Sequence, residues 1–213
     1  MHFISDYLER YVEQHSEKEP TLLYELQRET FQKILTPRML SGHFQGRLLA
    51  LLSKLVRPHR ILEVGTYTGY ATLCLCEGLR ENGHVDTIDI EEELFAFQRK
   101  YFDKSPWGKQ IQQHLGSAID IIPTLDATYD LAFIDADKEN YLEYYEMIVP
   151  KMQRGGLIIS DNVLWSGKVV EPTQKGDVAT EILKTYNQRL AEDPRVETVL
   201  LPVRDGLTLS WVK

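Results

Sequence analysis

The chain has 213 residues and a formal net charge of −8, with 43% hydrophobic and 26% charged residues. This length fits one domain with a single hydrophobic core, and the composition is that of an ordinary globular protein. The acidic balance disfavours a broad basic surface for DNA and favours a small-molecule partner.

The start of the chain carries charged side chains and has no apolar segment of the kind found in a secretory signal. No run reaches the roughly 18 apolar residues that a membrane-spanning helix needs. We therefore expect a cytoplasmic protein that does not enter a membrane. Cys74 and Cys76 would point to different faces of one helix, so we expect core thiols rather than a zinc or redox pair.

The first third of the chain has a helical pattern. Apolar side chains recur at helical spacing at Phe3, Tyr7 and Tyr11, and again in leucine-rich stretches further along. We expect one domain in which residues 1–57 form a helical N-terminal extension to a core of residues 58–213.

Short apolar segments then alternate with helical segments of about ten or more residues. This alternation predicts βαβ units and therefore an α/β fold with a doubly wound, mostly parallel sheet. The last two strands are separated by only Arg204 and Asp205 before a glycine, which predicts a tight antiparallel hairpin. The predicted strands are residues 60–64, 84–90, 111–115, 129–135, 155–162, 196–203 and 206–212.

The first strand ends in a glycine turn that leads into a helix. Residues 65–69 have GxxxG spacing, unlike the GxGxxG of dinucleotide-binding enzymes. Such a turn suits the binding of a carboxylate or phosphate; the alternative is that it only connects a strand to a helix. Asp89 ends the second strand about 24 residues after Gly65, where an acidic residue accepts hydrogen bonds from ribose hydroxyls. The alternative is that Asp89 caps the helix that begins near Glu91.

Oxygen-bearing side chains follow the fourth and fifth predicted strands. Asp135 ends the fourth strand, and Asp161 and Asn162 end the fifth. If these strands are neighbours, the side chains form a set of hard oxygen ligands suited to Mg²⁺, Mn²⁺ or Ca²⁺, whereas helix capping is the alternative for each. Lys138 can reach the same site as a general base, or it can form an ion pair with a nearby acid.

Several segments together resemble a known family. ILEVGTYTGYATL, TIDIEEE, FIDADKENYLEYY and GGLIISDNVLWSGKV are similar to the cation-dependent O-methyltransferases typified by plant caffeoyl-CoA O-methyltransferase, and more distantly to catechol O-methyltransferase. The resemblance covers about residues 35–213. It implies the seven-stranded, Rossmann-like fold of class I S-adenosylmethionine-dependent methyltransferases, and methyl transfer to a hydroxyl of a catechol-like phenolic molecule beside a divalent cation.

The resemblance also implies roles for individual residues. Asp135, Asp161 and Asn162 would be the cation ligands. Lys138 would be the base or the stabiliser of a phenolate, and Trp165 would line the acceptor side. The residues implied to hold the cofactor are Met39, Ser41, Glu63, Gly65, Tyr67, Ala71, Asp89, Asp135 and the backbone around Ala118.

Some positions depart from the family pattern. Ala71 stands where family members usually have a serine that binds the methionine carboxylate, so that contact would have to come from backbone, Thr72 or water. Residues 42–44 read GHF in place of SAD at the lip of the cofactor pocket. Pro202 matches the caffeoyl-type enzymes rather than the catechol enzyme.

Other partners remain open. Some bacterial relatives with this metal site methylate 5-hydroxyuridine in tRNA, an alternative that the net charge of −8 disfavours. A binding module without activity would require an incomplete metal set. The apolar N-terminal helices predict a homodimer, unless they only cover the cofactor. A basic edge for tRNA would be built from Lys33, Arg38, Arg47, Lys54, Arg57, His59 and Arg60.

Overall fold

The computed structural model describes residues 5–213, so the part of the N-terminal prediction that falls on residues 1–4, including Phe3, lies outside the described residues. Within the described range, the sheet has seven strands, as predicted. The strands are β1 (Arg60–Val64), β2 (His84–Asp89), β3 (Ile111–Leu115), β4 (Tyr129–Ile134), β5 (Met152–Asp161), β6 (Val196–Leu201) and β7 (Leu207–Val212).

The strand order is β3-β2-β1-β4-β5-β7-β6. The first five strands of this order are parallel, and β7 is antiparallel to both β5 and β6. The chain winds outward in one direction from β1 to β3 and in the other direction from β4 onward. The predicted doubly wound fold is therefore confirmed, and the strand order reverses between β1 and β4.

Helices cover both faces of the sheet. Alternate residues of each central strand face opposite sides, so in β4 Leu131 and Phe133 enter one core while Ala132 and Ile134 enter the other. This two-sided burial explains why the central strands are apolar throughout. The helices are α1 (Asp6–Gln14), α2 (Thr21–Lys33), α3 (Gly42–Val56), α4 (Tyr70–Cys76), α5 (Glu92–Lys104), α6 (Ala118–Ile121), α7 (Tyr141–Ile148) and α8 (Val178–Glu192).

The N-terminal helices share a core with the sheet. Leu26 of α2 and Leu49 of α3 are fully buried in the same cluster as Cys74 of α4 and Ile61 of β1. Both cysteine thiols are buried, and burial raises the pKa of the Cys74 thiol to about 12, so this thiol stays protonated. None of the helices within residues 5–213 is long and apolar enough to cross a membrane.

The predicted antiparallel hairpin at the C-terminal end is confirmed, and Arg204 and Asp205 form its turn, in which the N–H of Gly206 donates to the backbone oxygen of Val203 at 2.9 Å. The two strands are shorter than predicted. Strand β6 ends at Leu201 and β7 begins at Leu207, so residues 202–206 form the connection. Pro202 has no N–H to donate to a strand ladder, and Arg204 adopts a left-handed φ of 50°, which ends the pairing early. The longer connection matters because it carries Arg204 and Asp205 to the functional end of the sheet.

Candidate functional site

A cavity of about 770 Å³ opens at the carboxyl ends of the parallel strands, where the strand order reverses between β1 and β4. Ligands of doubly wound folds bind at this position. Most side chains that the sequence singled out meet here. The predicted site residues that line the cavity are Met39, Ser41, Gly65, Tyr67, Asp89, Ala118, Asp135, Lys138, Asp161, Asn162 and Trp165.

Glu63 and Ala71 lie behind the cavity wall. Glu63 is fully buried, and its Oε2 accepts hydrogen bonds from the hydroxyls of Thr72 and Thr87. Its Oε1 has no hydrogen-bond partner among residues 5–213, and burial raises the pKa of this carboxyl to about 8. Ala71 packs in the core on α4. The structure therefore does not bring these two side chains to the cavity, and their contact with a cofactor stays a prediction.

The glycine turn passes directly over the end of β4. Gly65 has a φ of 98°, and a Cβ at this position would lie 2.0 Å from the carbonyl oxygen of Asp135. Only glycine fits here, both for its backbone conformation and for this close approach. The turn therefore exposes its backbone to the cavity beside Asp135.

The carboxylate of Asp89 joins the glycine turn to the next helix. Its Oδ2 accepts a 2.5 Å hydrogen bond from the N–H of Tyr67, and its Oδ1 accepts a 2.9 Å bond from the N–H of Glu91. Burial raises the pKa of this carboxyl. The helix-capping alternative is wrong, because α5 begins at Glu92 after the N-cap residue Glu91 and no side chain caps it. Asp89 also lines the cavity, where it can accept a hydrogen bond from a ligand.

Two carboxylates face each other at the ends of β4 and β5. Ile134 pairs with Ser160 in the parallel ladder, so Asp135 and Asp161 follow at neighbouring strand ends. Asp161 is only 3% exposed, and burial, together with the negative charge of Asp135, raises the pKa of its carboxyl above the ordinary value. A cation between these groups would relieve that repulsion.

The donor set fits a hard divalent cation. Asn162 adopts a left-handed φ of 57° and lines the cavity with Asp135 and Asp161. No group of three or more His, Cys, Asp or Glu residues within residues 5–213 could hold a metal ion, so a third protein ligand here would be the Asn162 amide oxygen. Two carboxylates and an amide oxygen suit Mg²⁺, Mn²⁺ or Ca²⁺ and leave positions for oxygen atoms of water or of an acceptor.

Lys138 is held at this site by two partners. Its Nζ donates to Asp135 Oδ1 at 3.2 Å and to the hydroxyl of Tyr141 at 2.5 Å. The Tyr141 hydroxyl donates in turn to the backbone oxygen of Asp161 at 2.9 Å. The predicted ion pair with an acid is therefore present, and the lysine is 8% exposed within the cavity wall. Tyr141 was not singled out from the sequence, although it lies one helical turn after Lys138.

Gln45 is a second residue that the sequence analysis missed. Its Nε2 donates a 2.5 Å hydrogen bond to Asp161 Oδ2, and its Oε1 accepts a 3.2 Å bond from Arg204 Nη1. Gln45 lies in the first turn of α3, 116 positions before Asp161. No local signal marks this contact, because it forms only when α3 packs over the end of β5.

The cavity wall that contains Trp165 is formed by a left-handed turn. Trp165, Ser166 and Gly167 have φ values of 47°, 54° and 85°. Asp205 stabilises the turn, because its Oδ1 accepts a 2.5 Å hydrogen bond from the N–H of Ser166 and its backbone oxygen accepts one from Leu164 at 2.9 Å. The turn thereby holds the Trp165 ring at the cavity wall.

The basic edge considered for tRNA is partly neutralised. Arg47 and Lys54 both pair with Glu77, at 2.6 Å and 2.7 Å. Lys33 pairs with Glu29 at 2.7 Å. Arg47 is also only 9% exposed, so its charge does not contribute to the exposed basic edge that the tRNA prediction requires.

Comparison with known proteins adds independent observations. The family model described as O-methyltransferase matches residues 13–213. Caffeoyl-CoA O-methyltransferase 2 of Eucalyptus globulus is 34% identical over 96% of this chain and 88% of its own length. The solved structure of the O-methyltransferase TomG from Streptomyces achromogenes, in complex with SAM, has a TM-score of 0.90 at 28% identity and covers 97% of this chain and 96% of its own. The O-methyltransferase from Bacillus cereus, in complex with SAH, has a TM-score of 0.90 at 27% identity and covers 97% of each chain.

Proposed function

The chain belongs to the O-methyltransferase family, as the resemblance predicted, and we propose that it transfers a methyl group from S-adenosylmethionine to one hydroxyl of a catechol-like small molecule, with a divalent cation at the site. One observation carries the proposal: the glycine turn, the acidic pair and Lys138 all line the same cavity. The relatives named as caffeoyl-CoA O-methyltransferases and the solved structures with SAM or SAH support it.

The cofactor half of the cavity is bounded by the glycine turn and by the segment before α3. Asp89 would accept hydrogen bonds from ribose hydroxyls, and the backbone of Gly65 and of Ala118 would lie against the nucleoside. Met39 and Ser41 would close the pocket from the opposite side. The hydrogen bond of 2.9 Å from the Tyr67 hydroxyl to the backbone oxygen of Thr36 connects these two walls.

The acceptor half contains the acidic pair. Asp135, Asp161 and Asn162 would hold the cation, which when bound supplies a Lewis acid that lowers the pKa of an acceptor hydroxyl and orients two adjacent oxygens. Trp165 would pack against the acceptor ring from the side of the left-handed turn. This arrangement favours an ortho-diol over an isolated hydroxyl.

Lys138 supplies the charge next to the acceptor. Asp135 and Tyr141 accept two of the three N–H donors of its ammonium group among the described residues, which leaves the third for an acceptor oxygen. In the transfer, the methyl carbon loses its bond to the sulfonium sulfur and gains a bond to the acceptor oxygen, while the hydroxyl proton leaves. As the ammonium group, Lys138 would stabilise the resulting phenolate while the proton passes to water; as the neutral amine, Lys138 would receive the proton itself.

Methyl transfer to caffeic acid, measured with Mg²⁺ and with excess EDTA, tests the proposal. We expect activity with Mg²⁺, loss of activity in EDTA, and loss of both activity and cation binding in Asp135→Ala. Asp103→Ala is the matched control, because Asp103 is exposed on α5 and pairs with Arg99 at 2.9 Å, away from the cavity. Full turnover of an ortho-diol in excess EDTA would contradict the metal-dependent mechanism.

The acceptor class is tested in the same assay. Undermodified tRNA replaces the phenolic acceptor in a parallel reaction with labelled S-adenosylmethionine. We expect label in the small molecule and none in the tRNA, since Arg47, Lys54 and Lys33 of the predicted basic edge are paired with acids. If label appears only in the tRNA, the proposed phenolic acceptor is wrong and tRNA is the acceptor.

We also propose that the protein is a homodimer formed through its N-terminal region. Tyr7, Leu35 and Leu55 are 83%, 99% and 73% exposed. Large apolar side chains at such exposure favour association with a second copy. Light scattering on the purified protein tests this, and a monomeric mass at micromolar concentration would contradict it.

A further inference from the structure

A buried amide stands directly behind the acidic pair. Gln45 is 2% exposed and is not one of the cavity-lining residues, so it does not contact a ligand in the cavity. Its Nε2 donates to Asp161 Oδ2 at 2.5 Å, while the backbone N–H of Asn162 donates to Asp161 Oδ1 at 2.7 Å. Both oxygens of Asp161 therefore accept one hydrogen bond from the protein, which fixes the plane of the carboxylate.

The orientation of the amide is itself fixed. Arg204 Nη1 donates to Gln45 Oε1 at 3.2 Å and to the backbone oxygen of Leu40 at 3.4 Å. Because a guanidinium group has donors and no acceptor, the oxygen of the amide must face Arg204 and its nitrogen must face Asp161. A glutamine can serve both partners, whereas an aliphatic side chain of the same size can serve neither.

We infer that Gln45 is a positioning residue that orients Asp161 for the divalent cation, and that Arg204 sets the orientation of the Gln45 amide. The inference rests on the proposed function, because it requires Asp161 to bind a cation. A neutral donor suits this place: it holds the carboxylate without cancelling the negative charge that attracts the cation. Partners of metal ligands in this position typically change metal affinity by 10- to 100-fold when they are removed.

Cation affinity, rather than turnover, is the decisive measurement. Mn²⁺ is titrated into the protein without acceptor, and free Mn²⁺ is followed by electron paramagnetic resonance. We expect Gln45→Leu to raise the Kd for Mn²⁺ by about 10- to 100-fold. The affinity for S-adenosylhomocysteine in EDTA should stay within about threefold of wild type, because Gln45 does not line the cofactor cavity.

The matched control is Gln113→Leu. Gln113 is also a buried glutamine with an amide-to-amide bond, 2.7 Å to Gln98, but it lies on β3, away from the acidic pair. We expect its Kd for Mn²⁺ to equal that of wild type. An equal rise in the Kd for Mn²⁺ in both variants would mean that the loss of any buried amide weakens cation binding, and it would overturn the inference.

The role of Arg204 is tested by a double-mutant cycle. Arg204→Leu alone should weaken Mn²⁺ binding less than Gln45→Leu does, and the double variant should bind Mn²⁺ as Gln45→Leu does, because Arg204 acts through the amide. If the two substitutions change the free energy of Mn²⁺ binding additively, this part of the inference is overturned. Arg204→Leu also keeps the test decisive if Gln45→Leu does not fold.

The outcomes separate the two claims. Wild-type protein that binds Mn²⁺ no more tightly than Gln45→Leu overturns the positioning role and leaves the proposed function in place. Wild-type protein without saturable Mn²⁺ binding overturns both the positioning role and the cation in the proposed function.

Discussion

Lys138 donates a 2.5 Å hydrogen bond to the hydroxyl of Tyr141, which lies fully buried one helical turn further along the chain. The same hydroxyl donates to the backbone oxygen of Asp161 at 2.9 Å, and burial keeps its pKa well above the ordinary value for tyrosine. A single uncharged hydroxyl thus connects the lysine to the end of β5 and holds its ammonium group against the cavity.

Removal of this hydroxyl should lower the rate of methyl transfer. In Tyr141→Phe, Lys138 keeps only its bond to Asp135, so we expect kcat to fall about tenfold while the KM for the acceptor changes little. Tyr145→Phe is the control, because it also deletes a buried hydroxyl, 3.1 Å from Asp193 and away from the cavity. Steady-state kinetics of both variants check the prediction, and equal kcat values for Tyr141→Phe and wild type would contradict it.

Removal of the lysine itself should have a larger and more specific effect. We expect Lys138→Met to lower kcat by about 100-fold or more, the range of a general base or charge stabiliser. Mn²⁺ should bind at least as tightly as to wild type, because Asp135 loses a competing positive partner. Lys151→Met, which removes a 2.7 Å bond to the backbone oxygen of Leu125, should retain wild-type kinetics. A modest loss of kcat in Lys138→Met, below tenfold, would exclude the assigned role.

The close approach at the glycine turn predicts a large difference between two glycine variants. Gly65 and Gly176 both have positive φ values, 98° and 88°. A Cβ added at Gly65 would lie 2.0 Å from the carbonyl oxygen of Asp135, whereas a Cβ added at Gly176 would have no atom of the described residues within 4 Å. We expect Gly176→Ala to cost about 1 kcal/mol of unfolding free energy for the backbone alone. Gly65→Ala should cost at least about 3 kcal/mol and abolish S-adenosylhomocysteine binding. Urea unfolding and calorimetry on the two variants provide the comparison, and similar losses in both would refute the steric argument.

Glu63 should make the stability of the protein depend on pH. Burial raises the pKa of its carboxyl from 4.5 to about 8, with the nearby charges of Asp89 and Asp135 acting in the same direction. Between these values the folded state holds a proton that the unfolded state has released, so the contribution of Glu63 to stability falls as the pH rises from about 4.5 to about 8, and is constant above that. Each pKa unit corresponds to about 1.4 kcal/mol.

Glu63→Gln removes this titration. We expect its free energy of unfolding, measured with urea in EDTA at several pH values from 5 to 8.5, to fall less steeply with pH than that of wild type. Asp161, whose pKa is also raised, contributes to both proteins and cancels in the difference. Parallel curves for the two proteins would show that Glu63 does not titrate in this range.

The proposed cation ligands were brought together by sequence patterns alone. Asp135 and Asp161 were placed together because alternating strands and helices predict a parallel sheet, in which all strands end at one edge. The register of Ile134 with Ser160 confirms that β4 and β5 are neighbours. The sequence does not mark Gln45, which bonds to Asp161, or Arg204, which bonds to Gln45, because they lie 116 positions before and 43 positions after Asp161.

The C-terminal connection is a case in which a local pattern predicts a turn but not the contacts that the turn makes. Arg204 and Asp205 form the tight turn that their position before a glycine predicts. Pro202 ends β6 early, and the connection reaches the cavity. The contacts of the turn come from distant parts of the chain, since Asp205 bonds to Ser166 and Arg204 to Gln45.

Periodicity and motif order in the sequence were sufficient to predict the architecture. Each strand or helix reflects contacts between residues close together in the chain, and the alternation of strands with helices restricts the possible strand orders. They also supplied the chemical groups at the strand ends. Only the tertiary structure decides which partners orient those groups. Hydrogen bonds such as those from Gln45 to Asp161 and from Arg204 to Gln45 join distant segments of the chain, and they form only when the donor–acceptor distance is correct to within a few tenths of an ångström.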